Sequence, residues 1–398
     1  MTAPTTIGLE TPKRMTALKE LDLVRAAHAR NPASRVLRRR LAGLLSMCDR
    51  HRETLTLLRD AADPDFAEAM MMTQALLALE DPEATREARE AANLAFSMAD
   101  GDRGRAAALA DLGKAEIRLG HPEARRTLVR ALQLDPHNKD ACKRLAGLYS
   151  AVDDSVAALA LTDALAAQGV GHSRMFAARV LAMARLGRIE EAREAEAWDR
   201  LHLTRRLPPP PGWASPEAFN VALAAELVAH PGLHLERYGA ASHRTWRIDN
   251  TSSHFAPLAQ QLLARIAEIA ERHFAAIADI DHAMIRVRPP ALTLHSWCVI
   301  TDEDGFETWH VHPFGWLSGV YYVAVPEAVA TAGDERGHIA FGLPEEQVGD
   351  GTARAFGRRL VRPEPGLMLI FPSHCYHRTY PHGASGRRIC IAYDFWPA

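Results

Sequence analysis

The sequence lacks the features that place proteins in a membrane, outside the cell or on nucleic acid. Its longest apolar runs, such as the one over residues 70–79, fall far short of the roughly 20 residues that a membrane-spanning helix needs. The N-terminal residues hold no apolar segment after a basic start, so we expect no secretory signal. With 47 basic and 49 acidic residues, the formal net charge is −2. That balance gives no electrostatic basis for binding nucleic acid or an anionic membrane.

Cysteine is scarce and histidine is plentiful. The five cysteines are scattered, are odd in number and form no C-x-x-C pair. This pattern fits reduced thiols in a cytoplasm better than a disulfide framework or a thiolate zinc site, so we expect a cytoplasmic protein. Of the 19 histidines, fourteen follow residue 201. Any metal or acid-base chemistry should therefore lie in the C-terminal half.

The first half of the chain is rich in Ala, Leu, Arg and Glu with helical apolar spacing. The pair Leu112-Gly113 recurs as Leu145-Ala146 and as Leu181-Ala182, at intervals of 33 and 36 residues. Small residues at such points let two antiparallel helices approach closely. The spacing resembles the tetratricopeptide repeat, whose period is about 34 residues. We predict a TPR-like helical solenoid over residues 15–202, with an irregular helical bundle as the alternative.

Proline marks the end of the helical half. Residues 203–216, with the run Pro208 to Pro211, are predicted to be a Pro-rich linker. Two amphipathic stretches (217–229 and 254–278) follow it, and the pattern then changes to short strands separated by Gly and Pro. The predicted strands are Ala283–Val287, Thr293–Val299, Leu317–Val325, His338–Phe341, Arg359–Val361, Leu367–Phe371 and Arg388–Asp394. This spacing predicts a β-sandwich or jelly-roll barrel over 217–398, and hence an α + β multidomain protein.

Two histidines stand one residue apart in the stretch WHVHPFGWLSGVYYV (309–323). If the stretch is a strand, His310 and His312 project to the same face. Two imidazoles on one face can share a metal ion, or they can be unconnected surface or core histidines.

A second informative stretch is LMLIFPSHCYHRTYPHGASGRRICIAYDF (367–395). A predicted strand runs into a turn that carries His374 and His377, and Arg388 begins the final strand. A ligand pair, a third ligand about 50–70 residues later and a basic residue beyond it are typical of a mononuclear iron site in a jelly roll. In that arrangement the arginine binds an oxoacid.

The segment from about 280 to 396 resembles the 2-oxoglutarate and Fe(II)-dependent oxygenases. In detail it is similar to the bacterial oxygenases related to prolyl hydroxylases. Four ordered blocks carry the resemblance: HVHPFGWLSGVYYV, GHIAFGLP (337–344), PEPGLMLIFPSHCYHRTYP and RRICIAYDF. The resemblance covers about a third of the chain, with 217–280 as helical support. The resemblance implies Fe(II), 2-oxoglutarate as co-substrate, and O2.

The resemblance also implies roles for individual residues. His310 takes the first ligand position and His377 the distal histidine position. Arg388 falls where the family's arginine pairs with the far carboxylate of 2-oxoglutarate, a task that suits its planar fork. Ser318 and Tyr322 are candidates for further hydrogen bonds to the oxoacid.

One position departs from the family pattern. Two residues after the first ligand, where the superfamily usually has Asp or Glu, this chain has His312. A neutral imidazole there leaves the iron site one charge unit more positive, although Fe(II) accepts imidazole readily. The expected metal ligands are therefore His310, His312 and His377, and we expect His374 to point elsewhere.

The predicted function is that of a dioxygenase that hydroxylates a C–H bond and releases succinate and CO2. Pairing such a domain with a TPR-like domain suggests a protein or peptide substrate bound by the repeats. Two alternatives remain: a TPR adaptor with a catalytically silent barrel, and a cupin-type metal enzyme that does not use 2-oxoglutarate.

Overall fold

The computed structural model describes residues 5–61, 63–235 and 241–398. The chain divides into two compact units. The repeat unit comprises residues 15–170, and the barrel unit comprises residues 1–14 together with 171–398. The division falls at 170/171, whereas the sequence suggested a domain boundary at 202/203.

The repeat unit is built from antiparallel helices. Several of them start with a helix-capping residue: Asp65 and Glu68 form a capping box, and Asp81 caps a helix that begins with Pro82. Gly113 lets two helices pack closely, because a Cβ atom there would lie 2.5 Å from the Leu128 side chain. The helices are α1 Ala17–Arg30, α2 Arg35–Met47, α3 His51–Arg59, α4 Phe66–Ala78, α5 Pro82–Met98, α6 Asp102–Arg118, α7 Ala124–Leu134, α8 Lys139–Ala151 and α9 Ser155–Ala167.

The barrel unit combines strands with flanking helices. Its elements are β1 Thr6–Leu9, α10 Ser173–Arg185, α11 Ile189–Glu196, α12 Trp198–Leu201, β2 Leu203–Arg206, α13 Pro216–Val228, β3 His234–Leu235, β4 Ser242–Ile248, α14 Pro257–Ala276, α15 Ala283–Arg286, β5 Ala291–Glu307, β6 Leu317–Ala324, α16 Glu327–Ala330, β7 Ile339–Phe341, α17 Glu345–Val348, α18 Asp350–Phe356, β8 Arg359–Val361, β9 Leu367–Pro372, β10 His377–Thr379 and β11 Arg388–Pro397.

Two sheets make up the barrel unit. Within the described residues, the larger sheet has the order β2-β9-β6-β11-β5-β4-β3, with β1 paired in parallel to β5. The smaller sheet has the order β10-β7-β8. Among the strands of the described residues, every pairing other than that of β1 is antiparallel. These features confirm the predicted fold class, a helical repeat region followed by a jelly-roll domain.

Side chains from both sheets form the core of the barrel unit. Side chains alternate along each strand, so one face of the larger sheet meets the smaller sheet and the other face meets helices. Val320 and Tyr322 of β6 lie in the core cluster with Phe341 of the smaller sheet. On the opposite face, Tyr321 donates a hydrogen bond to Asn220 of α13 (2.8 Å). Residues of β6 and β11 that share the face of Tyr322 therefore point into the barrel.

Two segments differ from the sequence-based expectations. The predicted strand Ala283–Val287 is wrong: this segment forms the short helix α15, whose first turn is capped by the side chain of His282. Leu203–Arg206, predicted as part of the Pro-rich linker, is strand β2 and pairs with β9. The strand lies at the edge of the sheet and three of its four residues are exposed. Its sequence, LTRR, lacks the alternation of polar and apolar residues by which a strand is recognised. Leu207 then continues the contact through a backbone hydrogen bond to Gly366.

Among the described residues, no helix is both long enough and apolar enough to cross a membrane.

Candidate metal centre

Backbone pairing brings three histidines together. After β5 ends at Glu307, the chain passes the start of β10, where His310 and His377 exchange backbone hydrogen bonds of 3.0 and 3.1 Å. The His312 amide donates to the Ser373 carbonyl at 2.9 Å. The expectation that His310 and His312 share one regular strand is wrong, because this pairing is an isolated bridge followed by Pro313. The two side chains still converge on His377.

The three imidazoles are close enough to share one ion. The ring centroids lie 4.2 Å apart for His310 and His377, 4.9 Å for His312 and His377, and 5.3 Å for His310 and His312. One nitrogen from each ring lies within 4.8 Å of the other two. His312 and His377 are buried and His310 is partly exposed. Three such nitrogens suit a first-row metal ion with open coordination positions.

The second nitrogen of each ring is hydrogen-bonded to the protein. Nδ1 of His310 lies 2.7 Å from the Thr308 carbonyl oxygen, and Nδ1 of His377 lies 3.0 Å from that of Cys375. Nδ1 of His312 lies 2.5 Å from a carboxylate oxygen of Asp394. Because all three partners are acceptors, each Nδ1 carries a proton and donates it. This leaves the Nε2 lone pairs for a metal, the usual arrangement of histidine ligands.

The surroundings hold two of the three rings neutral. Burial lowers the pKa of His377 well below its usual value, and the nearby imidazoles lower it further. Burial also lowers the pKa of His310, and the Glu307 carboxylate offsets only part of that shift. For His312, burial lowers the pKa but the charge and hydrogen bond of Asp394 outweigh it, so the net shift is upward. Neutral rings are the form in which imidazole binds metals.

Glu307 stands beside the trio without joining it. One of its carboxylate oxygens lies 3.9 Å from Nε2 of His310. The other accepts a hydrogen bond from Ser242 at 3.0 Å. The alternative to a three-histidine site is one formed by His310, His377 and a carboxylate such as Glu307, with His312 turned away. The group whose nitrogens converge instead includes His312 and omits Glu307.

Arg388 and Tyr322 lie in the same barrel interior. Arg388 is 3% exposed and donates to the Gly337 carbonyl (2.9 Å) and to the Thr379 hydroxyl (3.2 Å). Thr379 lies two residues from His377 and on the same face of β10. Burial raises the pKa of the Tyr322 hydroxyl, and the neighbouring Arg388 charge offsets part of that shift. Two of the three side chains that the resemblance linked to the oxoacid, Arg388 and Tyr322, therefore lie in the same barrel interior as the histidine trio.

Ser318 contacts neither Arg388 nor Tyr322 in its hydrogen bonds. Its hydroxyl lies 2.6 Å from Asp394 and 2.7 Å from the Ser373 hydroxyl, on the side of His312. Sequence reasoning missed Asp394, although the residue stands in the quoted block RRICIAYDF. The available signal was its position: Asp394 lies an even number of residues from Arg388 in an apolar strand, and so shares its buried face.

His374 is separate from the trio although it is only three residues from His377. Its Nε2 lies 3.0 Å from the Ala195 carbonyl oxygen, and its ring packs on Phe176. Burial lowers its pKa to about 4. His374 is a neutral core residue.

Taken together, the two facing sheets and the histidine trio define a jelly-roll protein with a candidate site for one metal ion. Two family models then match the chain. Residues 295–394 match the family described as "Putative 2OG-Fe(II) oxygenase", and residues 121–182 match the family described as "Tetratricopeptide repeat". The barrel unit therefore contains a segment that matches the 2-oxoglutarate and Fe(II)-dependent oxygenases, oxidoreductases that use Fe(II), 2-oxoglutarate and O2. The predicted family, enzyme class and cofactors are confirmed.

Three solved structures are similar to part of this chain. A Pseudomonas putida prolyl-4-hydroxylase is 16% identical and is matched over 53% of this chain and 99% of its own, with a TM-score of 0.35. The α-ketoglutarate-dependent epimerase SnoN from nogalamycin biosynthesis is 15% identical, with coverages of 54% and 84% and a TM-score of 0.36. A Trichoplax adhaerens prolyl hydroxylase in complex with a peptide fragment is 10% identical, with coverages of 54% and 92% and a TM-score of 0.36. The search of curated proteins found no match.

Proposed function

We propose that His310, His312 and His377 hold Fe(II), and that the chain couples the oxidative decarboxylation of 2-oxoglutarate to hydroxylation of a C–H bond. The observation that carries this proposal is the environment of Arg388. Its guanidinium is buried, yet among the described residues no carboxylate lies within ion-pair distance of it. Its hydrogen-bond partners are the neutral oxygens of Gly337 and Thr379. A buried charge of this kind needs an anionic partner.

We expect a dicarboxylate of the length of 2-oxoglutarate to span the distance between Arg388 and the histidines. Thr379 accepts a hydrogen bond from Arg388 and lies two residues from His377, which is about 7 Å along a strand. The far carboxylate would pair with Arg388 while the oxoacid end reaches the metal. A planar guanidinium binds a carboxylate through two parallel hydrogen bonds. Tyr322, whose hydroxyl stays protonated, is a further donor to the far carboxylate.

The chain's own residues position the reactants and exclude water. Bound Fe(II), 2-oxoglutarate and O2 supply the oxidising chemistry, which converts R–H to R–OH and yields succinate and CO2. The carbonyls of Thr308 and Cys375 hold the rings of His310 and His377 in orientation. Phe371 packs against His377 with ring centroids 4.8 Å apart. Such apolar walls strengthen every polar interaction inside the site.

We infer that the substrate is a protein or peptide and that the repeat unit recognises it. An apolar cavity of about 510 Å³ opens between α7, α8 and α9. Its lining includes Leu132, Tyr149 and Leu161. Stacked helix pairs of this kind often bind extended polypeptide segments. We assign an apolar segment of the substrate to this cavity.

The test is turnover of 2-oxoglutarate by the whole chain. With Fe(II) and O2, the protein should form succinate, and a peptide library should yield products heavier by one oxygen atom. His312→Ala should weaken iron binding by roughly 10-fold or more and lower succinate formation in parallel. Succinate formation by the unmodified chain distinguishes the oxygenase from an adaptor with a silent barrel. Activity that does not depend on 2-oxoglutarate would identify a cupin-type enzyme instead.

A further inference from the structure

Asp394 is a buried carboxylate held by several donors. Its side chain is on the inner face of β11 and the residue is 4% exposed. One oxygen accepts from Nδ1 of His312 (2.5 Å) and from the Ser318 hydroxyl (2.6 Å). The other accepts from the Trp396 indole at 3.3 Å. A carboxylate with three donors is a stable buried anion, so its charge stays next to His312.

The surrounding chain leaves room for this carboxylate and for little else. A Cβ atom on Gly315 would lie 2.4 Å from the Ser373 hydroxyl and 3.2 Å from Cγ of Asp394. The Ser373 hydroxyl is in turn hydrogen-bonded to Ser318 at 2.7 Å. The loop that follows His312 therefore closes over Asp394 without displacing it, because it carries glycine at this point.

The three histidines differ in what holds them. His310 and His377 each donate to a backbone carbonyl, Thr308 and Cys375 respectively. His312, in contrast, donates to a full negative charge. His312 is also the residue that stands where the oxygenases usually have Asp or Glu. The ligand set thus lacks a carboxylate, but the Asp394 carboxylate is hydrogen-bonded to the imidazole of His312, the residue that takes the place of the usual Asp or Glu.

We propose that Asp394 is the positioning residue of the metal site: through His312 it supplies the negative charge that a carboxylate ligand supplies in related enzymes. This inference rests on the proposed function, in which His312 binds the iron. The hydrogen bond fixes the proton on Nδ1, aims Nε2 at the metal and makes the imidazole a stronger electron donor. Asp394 itself does not reach the metal, because it lies behind the ring with its oxygens engaged.

The test is a double-mutant cycle on metal affinity. Binding of Co(II) alone is measured by calorimetry, and its visible absorption reports the geometry of the site. In the unmodified background, Asp394→Asn should weaken Co(II) binding by about 10- to 100-fold, the range seen when a partner behind a ligand is lost, and should change the absorption. In a His312→Asp background the ligand carries its own charge. There Asp394→Asn should leave affinity unchanged or raise it, because it removes a repulsion between two carboxylates.

Controls separate this role from a structural one. Tyr393→Phe removes a buried hydrogen bond to the Leu369 carbonyl from the opposite face of the same strand. It should lower thermal stability without changing Co(II) affinity. An equal loss from Asp394→Asn in both backgrounds would show a merely structural role and overturn the inference. If Asp394→Asn alone does not fold, comparison of His312→Asp with the double variant still decides: weaker binding by the double variant overturns the inference.

The outcomes also distinguish this inference from the proposed function. If the unmodified protein binds Co(II) and Asp394→Asn binds it equally well, the proposed function stands and the inference fails. If the unmodified protein does not bind Co(II), both fail.

Discussion

His374 and His377 show how the chemistry of one residue type depends on the atoms around it. Both are buried histidines in one turn of the chain. His377 donates from Nδ1, which leaves Nε2 facing two other imidazoles. His374 uses Nε2 for the Ala195 carbonyl and packs on an aromatic ring. Only the first arrangement leaves a lone pair for a metal.

This contrast gives a matched pair of variants. His377→Ala should abolish retention of Fe(II) and succinate formation, because it removes one of three protein ligands from an open site. His374→Ala should cost stability but keep the metal. Iron stoichiometry after anaerobic purification measures the difference. Full iron in His377→Ala would show that the distal ligand is not His377, and loss of iron from His374→Ala in the same experiment would assign that ligand to His374.

The neighbouring pair Arg387 and Arg388 tests the oxoacid site in the same way. Arg388→Gln should raise the 2-oxoglutarate requirement sharply, because losing a buried charge pair costs on the order of 2–5 kcal/mol. Iron binding should stay nearly intact. Arg387 points to solvent and pairs with Asp302, so Arg387→Gln is the control and should change neither quantity. An unaltered requirement in Arg388→Gln would reject this arginine as the anchor. The measurement is the dependence of succinate formation on 2-oxoglutarate concentration.

At the scale of secondary structure, helix α11 carries a carboxylic acid into the interior of the barrel unit. Burial raises the pKa of Glu196, the last residue of this helix, to about 8. In the unfolded chain its pKa is about 4.3. Between these values the folded state holds a proton that the unfolded state does not. The contribution of Glu196 to the free energy of unfolding should therefore be greatest below about pH 4. It should fall as the pH rises towards about 8, at up to about 1.4 kcal/mol per pH unit.

Glu196→Gln should remove this dependence. The free energy of unfolding of the variant, relative to the unmodified protein, should increase by a few kcal/mol between about pH 5 and about pH 8.5. Glu194→Gln on the same helix is the control, since Glu194 is exposed and pairs with Arg200. Denaturant unfolding at several pH values measures the effect. A stability difference that does not change with pH would contradict a protonated Glu196.

The edge of the larger sheet leads to a second prediction at this scale. A protein that begins at Trp213 lacks β2 and the helices α10 to α12. It thereby loses the β2–β9 pairing and the hydrogen bonds from Arg193 to the carbonyls of Ala355 and Phe356. A protein that begins at Gly171 keeps them. We expect the longer version to unfold at a clearly higher temperature, as measured by calorimetry. Equal unfolding temperatures would mean that 171–212 adds nothing to the barrel.

Whether the sequence predicts a strand depends on whether that strand is buried on both faces or lies at the edge of a sheet. Strands β6, β9 and β11 were predicted because each is an apolar run buried on both faces. The short edge strands β1 and β2 were not, since their pairing compensates for a sequence with little alternation. The histidines of the site were visible as a spaced motif. The hydrogen bonds of Asp394 were not, because the register of β11 against β6 brings it opposite Ser318, and the backbone hydrogen bond between His312 and Ser373 brings the imidazole to the same place.

At the scale of the whole molecule, the central question is what the repeat unit adds to the oxygenase. If the cavity between α7, α8 and α9 binds the substrate, Leu161→Lys should weaken turnover of a protein substrate while leaving uncoupled 2-oxoglutarate turnover unchanged. Val156→Lys is the control, because Val156 lies on the same helix but is 66% exposed and outside the cavity lining. The ratio of product to succinate measures the effect. Equal product yields from both variants would remove the cavity from substrate recognition.

The most direct test of the whole account is an anaerobic titration of the intact protein with Fe(II) and then 2-oxoglutarate. Ferrous iron chelated by an oxoacid absorbs visible light through metal-to-ligand charge transfer. The account predicts one equivalent of bound iron and a visible band that appears only when 2-oxoglutarate is added. The band should be absent from His377→Ala and should need much more 2-oxoglutarate in Arg388→Gln. If the intact protein binds no iron, or binds iron without forming the band, the trio of His310, His312 and His377 is not an oxygenase site.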